Sequence, residues 1–219
     1  MKRNYLLPLL LTSMLLVGCG NRGETTPETP ETVEYTLNFG DFQFEGNTKE
    51  ISTGSAGGGN KFIEAMDNFV TSNTAEGLYR KIDAVPYVGL RKYDYPKTMF
   101  NALQFCSGTS DGSITFHFNK EVVSIEVTAQ AYFKEYMKTY DLDGGEPYPV
   151  YSIDLDTTVK VGGETWTLPE AYYDEAKAEY HMPDKATRTF EVAEKSFTIS
   201  DDENLGRFFV HSIKLTFQK

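Results

Sequence analysis

Between Ser113 and Ala131 the chain alternates apolar and polar residues twice over. Ile114, Phe116 and Phe118 mark a first run, and Val123, Ile125, Val127, Ala129 and Ala131 a second. A period of two gathers such residues on one face of an extended strand, which no helix can do. The polar pair Asn119-Lys120 between the runs predicts a hairpin with one face buried. Residues 157–161 and 164–168 flank Gly162-Gly163 and predict a second hairpin, because glycine supplies the positive φ that tight primed turns need. Residues 35–39 and 42–44 predict earlier strands, 188–192 and 196–199 two short ones. Residues 209–217 predict a last strand with Phe209, His211, Ile213, Leu215 and Phe217 on one face.

Helical spacing is scarce. Phe62, Ala65, Met66, Phe69 and Val70 recur at i, i+3, i+4, with Asn60 as N-cap and a stop near Asn73. Residues 169–180 predict a second, shorter helix, with Pro169 at its first position. Many short strands, one or two short inserted helices and no βαβ alternation predict an all-β chain, an antiparallel β-sandwich of jelly-roll type.

The first residues follow a different logic. A basic start (Lys2, Arg3) leads into an apolar run that closes on Leu16-Val17-Gly18-Cys19. The run is short and interrupted by Pro8, so it is a secretory signal and not a membrane span. Leu, aliphatic, Gly, Cys resembles the lipobox of bacterial lipoprotein precursors. That resemblance implies that the Cys19 thiol receives a diacylglycerol, that residues 1–18 are removed, and that two acyl chains hold the protein at the membrane. Residues 19–34, rich in Thr, Pro and Glu, have little to bury and form a solvated tether. Residues 35–219 suit one sandwich domain, with an insertion around 46–99 as crossover or cap. The expected location is the cell membrane, lipid-anchored and facing outward, or facing the periplasm or lying at the outer membrane in a Gram-negative host.

The formal charge is −11, and removing Lys2 and Arg3 with residues 1–18 makes it −13. Such a chain does not bind nucleic acid, whose affinity rests on basic groups that release counterions. Attachment to anionic lipid would rest on the acyl chains and not on a basic patch. Cys106 has no partner once Cys19 is modified, so no disulfide is expected, and within Leu103-Gln104-Phe105-Cys106 it reads as a small buried hydrophobe.

The blocks Gly112–Phe118, Val123–Tyr132, Val159–Gly163 and Arg207–Phe217 follow in an order that resembles galactose-binding-domain-like modules. Such modules occur on surface proteins of low-GC Gram-positive bacteria and their wall-less relatives. The resemblance covers roughly the last half of the chain. It implies a sandwich fold and binding of glycans or surfaces, and no ligand-contact motif transfers residue by residue.

No motif nominates a catalyst. Gly108-Thr-Ser110-Asp-Gly112 matches G-x-S-x-G, but a nucleophile elbow needs a helix after the serine and here a strand follows. The 54–61 loop, Gly54-Ser-Ala-Gly57-Gly58-Gly59-Asn60-Lys61, lacks the spacing of a P-loop. Asp141, Asp143 and Glu146, with Asp154 and Asp156, read as a solvated acidic turn, with a calcium-pinned loop as the alternative. His117, His181 and His211 have no zinc spacing, and no metal or other cofactor is expected.

Aromatic residues are more suggestive. Tyr87, Arg91, Tyr93, Asp94 and Tyr95 crowd one apparent loop between Pro86 and Pro96, and Trp166 follows a hairpin turn. Sugar rings stack their C–H faces on aromatics while polar groups read the hydroxyls. The expected ligand site is therefore Tyr93 and Tyr95 as stacking rings, Arg91 and Asp94 as hydroxyl contacts, and Trp166 as a further wall. The expected function is a non-catalytic recognition or adhesion module with a glycan or an envelope protein as partner. The rivals are a hydrolase on the same sandwich and a structural envelope protein.

Overall fold

A computed structural model describes residues 31–54, 58–95, 98–107, 110–138, 148–201 and 206–219; of 94, 95, 98 and 136–138 only the backbone is described. The strands are β1 (Thr32–Asn38), β2 (Glu50–Ser52), β3 (Tyr79–Val85), β4 (Val88–Tyr95), β5 (Thr98–Phe105), β6 (Ser113–Ala131) and β7 (Phe133–Lys138). They continue as β8 (Tyr148–Ile153), β9 (Thr158–Val161), β10 (Glu164–Thr167), β11 (Tyr172–Asp174), β12 (Glu179–His181), β13 (Ala186–Ser200) and β14 (Phe208–Gln218). One helix, α1 (Gly58–Ser72), and a single 3-10 turn at Phe39–Asp41 complete the described residues. The protein is an all-β antiparallel sandwich, as its alternating pattern predicts.

Ten strands share one hydrogen-bonded sheet in the order β10-β9-β13-β6-β14-β5-β4-β2, with β1 on β14 and β3 on β6. The long strands carry it around the core. β6 pairs through its first half with β3 and the end of β13, and through its second half with β14 and the start of β13. The hairpin expected at Asn119-Lys120 is instead this single 19-residue strand. Residues 119–121 are exposed where the buried set changes parity, from Ile114, Phe116, Phe118 and Val122 to Ile125, Val127 and Ala129. The pairing shifts register with Val122 against both neighbours, as bulged strands do when they turn from one layer to another.

The same device corrects two other expectations. Residues 188–192 and 196–199 belong to one strand, β13, which is bulged between Glu191 and Ser196. β14 shifts register between Val210 and Ser212, so its apolar residues do not share one face. Phe208, Val210, Ile213, Leu215 and Phe217 enter the main core, whereas Phe209 joins a small cluster with Tyr93, Ala102 and Tyr132 on the opposite side. The Gly162-Gly163 hairpin forms as expected, with Gly162 at φ 59°.

α1 buries Phe62, Met66 and Val70 in the main core beside Phe39 and Leu37. The predicted helix over 169–180 is a two-stranded hairpin, β11–β12. There the Asp174 carboxylate accepts from the backbone N–H of Ala176 (2.9 Å) and Lys177 (3.3 Å), a local turn that competes with helix formation. The 46–99 segment supplies α1, β2, β3 and β4 to the helix layer and the common sheet.

Candidate functional site

A groove of about 910 Å³ runs between α1 and the segment from Asp41 to Ser52. Its size lies within the usual range for ligand clefts. The helix wall is one stripe, Lys61, Glu64, Ala65, Asn68, Phe69 and Ser72, beside the stripe that enters the core. At 1.5 Å per residue those eleven steps extend about 16 Å. The helix ends at the groove's edge, where Asn73 Nδ2 donates to the Phe69 carbonyl (2.8 Å) and Thr74 Oγ1 to that of Val70 (2.9 Å).

The facing wall is fixed by short-range hydrogen bonds. Asn38 caps the 3-10 turn by accepting from Gly40 N (3.2 Å), and its Nδ2 donates to Asp41 Oδ2 (2.9 Å). Asn101 Nδ2 donates to the Phe42 carbonyl at 3.1 Å, which ties the turn to β5. Phe39 stacks on Phe69 at 5.5 Å, and Phe42 meets Phe69 edge-on at 5.8 Å and Phe44 at 4.9 Å. The groove floor is thus aromatic and braced from the core, with half-buried Phe42 and Phe69 facing it. Glu50 closes it from β2. Its Oε1 accepts from Arg91 Nη2 (2.7 Å) and from the Tyr87 hydroxyl (2.8 Å).

The residues nominated from sequence do not come together as expected. The segment 88–95 is a strand and not a loop, which alternates its side chains between the two faces of the sheet. Tyr93 is 5% exposed, its ring against Phe209 (4.8 Å) and Phe100 (5.5 Å) and its hydroxyl donating to Gln104 Oε1. Burial pushes its phenol pKa up, and the ring cannot stack on a ligand. Arg91 is the ion-pair partner of Glu50 (2.7 Å) and is not among the residues that line the groove. The side chains of Asp94 and Tyr95 lie outside the described residues. Trp166, on β10, is half-buried against Phe190 (6.1 Å), toward the sheet edge opposite β4. It shares no ring contact with the β4 aromatics among the described residues.

The remaining motifs resolve into structural roles or fall outside the description. Ser110 is an exposed turn residue whose carbonyl accepts from Ser107 N (3.2 Å). Gly112 is required by packing, since a Cβ there would sit 2.3 Å from the Tyr87 carbonyl and 2.8 Å from Cys106 N, two atoms already hydrogen-bonded to each other. Cys106 is fully buried, and burial beside Asp201 raises its thiol pKa. Asp141, Asp143 and Glu146 lie outside the described residues, as do residues 55–57 of the glycine loop. Asp154, offered with them as a cation ligand, instead forms a two-point ion pair with Arg207 (2.6 and 2.8 Å). His117 pairs with Asp83 (2.8 Å), His181 lies 3.5 Å from Asp174 and 3.6 Å from Glu179, and His211 bonds Gln130 (2.9 Å).

One further aromatic surface was not foreseen. On the β11–β12 hairpin Tyr172 (59% exposed) stacks on His181 at 4.7 Å, and Tyr173 (49% exposed) meets Tyr180 at 5.0 Å.

No family model matches the chain, and no curated protein does. Among solved structures it is similar to the catalytic unit of a thermostable GH87 alpha-1,3-glucanase from Streptomyces thermodiastaticus strain HF3-3. The identity is 11% over 54% of this chain and 20% of that one, with a TM-score of 0.26. The chain thus spans about a fifth of that structure's length, and a likeness at this level carries no functional argument.

Proposed function

We propose that this protein is a membrane-anchored surface lipoprotein that acts as a non-catalytic recognition module and binds carbohydrate in the groove between α1 and residues 41–52. The observation that supports this most is the groove's composition. Half-buried Phe42 and Phe69 offer apolar surface to a sugar face, while Lys61, Glu64 and Asn68 project along the same wall with no hydrogen bond or ion pair to the described residues. Ordered aromatics beside uncommitted donors and acceptors are what a glycan site needs. The lipid at Cys19 would anchor the domain on the outer or periplasmic side through the residues ahead of β1, which starts at Thr32, so that 32–34 of the expected 19–34 tether are paired with β14. No step of catalysis is assigned: the partners recorded for His117, His181 and His211 are Asp83, Asp174 with Glu179, and Gln130.

The test is a glycan array with residues 31–219, followed by calorimetry of the best ligand. Phe42→Ala and Asn68→Ala should weaken binding, the aromatic by at least about 2 kcal/mol if it is a hot spot. Unchanged affinity in both variants, with folding intact, would exclude the groove.

A further inference from the structure

The groove's charge narrows the class of ligand. Its walls present Asp41, Glu45, Glu50 and Glu64 against a single ammonium, Lys61. Arg91 balances Glu50. Asp41 takes only a neutral amide, from Asn38. Glu45 and Glu64 have no side-chain partner among the described residues, and Lys61 makes no ion pair with Glu64 three residues on, although that spacing places them side by side on the helix. Three uncompensated carboxylates therefore face one cation, within a chain whose formal charge is already −11. Such a potential repels uronate-, sulfate- and phosphate-bearing polymers and favours cationic ones, in affinity and in rate of encounter.

Resting on the glycan reading of this groove, we propose that its ligand is an oligosaccharide bearing free amino groups, a de-N-acetylated amino-sugar chain. The apolar C–H faces lie on Phe42 and Phe69, and the ammonium groups point to Glu45, Glu64 and Asp41. The length of the helix stripe suits several linked sugar units. An acidic neighbour helps only where the ligand is positive, so salt should weaken the preference, because exposed charges are screened within about 8 Å at physiological ionic strength.

The experiment titrates the full chain, held in neutral detergent, with an N-acetylglucosamine oligomer and with its de-N-acetylated counterpart of equal length. It is run near pH 6. The amine form should bind about tenfold tighter in dilute buffer, a gap that closes at high salt and in the Glu45→Gln/Glu64→Gln double variant. Both substitutions are at exposed positions, and a thermal melt checks that the fold is kept. Equal binding of the two forms, lost in Phe42→Ala, would overturn the charge inference and leave the site. An amine preference untouched by the double variant would also overturn it. Tighter binding of oligolysine than of the amino sugar would reassign the groove to a basic peptide. If neither sugar binds, the glycan reading and this inference both fall.

Discussion

His211 should make this protein lose stability in mild acid, and the structure gives the size of the effect. The residue is 7% exposed, lying 4.7 Å from the Phe100 ring. Gln130 Nε2 donates to the Pro183 carbonyl (2.6 Å), which can only accept, so Gln130 Oε1 faces His211 and receives its Nε2–H. That bond places the neutral ring's proton on Nε2, and a second proton would have to enter an apolar site near Lys185. Burial first, and then the Lys185 charge, lower its pKa from 6.5 to about 3. The unfolded chain therefore takes up a proton below pH 6.5 that the folded chain refuses until about pH 3. Folding stability must fall as pH drops through that window.

Integrated from near pH 7 to near pH 5, one such group costs about 2 kcal/mol. His211→Gln keeps a donor for Gln130 and removes the titration. Urea unfolding of parent and variant at the two pH values measures the difference. The parent should lose about 2 kcal/mol more than the variant on acidification. An identical loss in both would refute the buried, neutral assignment.

Cys19→Ser should abolish incorporation of a palmitate analogue and leave an uncleaved precursor, and equal labelling of parent and mutant would end the lipoprotein reading. Gly112→Ala should destabilise by about 1–3 kcal/mol because its Cβ meets backbone atoms that cannot yield, whereas Ser110→Ala should stay within about 0.5 kcal/mol. Denaturant titrations separate the two, and a large loss of ester hydrolysis in folded Ser110→Ala would revive a hydrolase. In the 31–219 domain the Cys106 thiol should resist maleimide until denaturant is added, and rapid native labelling would contradict its burial.

Strand content was legible because alternation at Ile114–Phe118 and Ile125–Ala129 is a direct image of a two-faced strand. What the alternation could not say is whether a parity change is a turn or a bulge. Asn119 and Lys120 are polar because they are exposed at the bend of β6; Asn119 Nδ2 donates to the Gly77 carbonyl (2.7 Å), a contact 42 residues away in sequence. The helix misread over 169–180 had a local warning. Tyr172, Tyr173 and Tyr180 favour strands, and Asp174 favours a turn.

The ligand site was less legible. Tyr93 is as aromatic as an exposed platform residue, and only its partners on β5 and β14 place it inside. The groove had a signal in the sequence. Lys61, Glu64, Asn68 and Ser72 recur at helical spacing beside Phe69, a second stripe next to the core stripe of α1. The facing wall at 41–52 has no comparable period, and its approach to α1 is a tertiary fact.

The most direct test of the groove as the recognition site is amide hydrogen exchange of the full chain with and without a saturating bound oligosaccharide. Added protection should concentrate in α1 and residues 41–52, with β10 and the β11–β12 hairpin unchanged. Protection centred on Tyr172–His181 or on Trp166, with none along α1, would contradict the account.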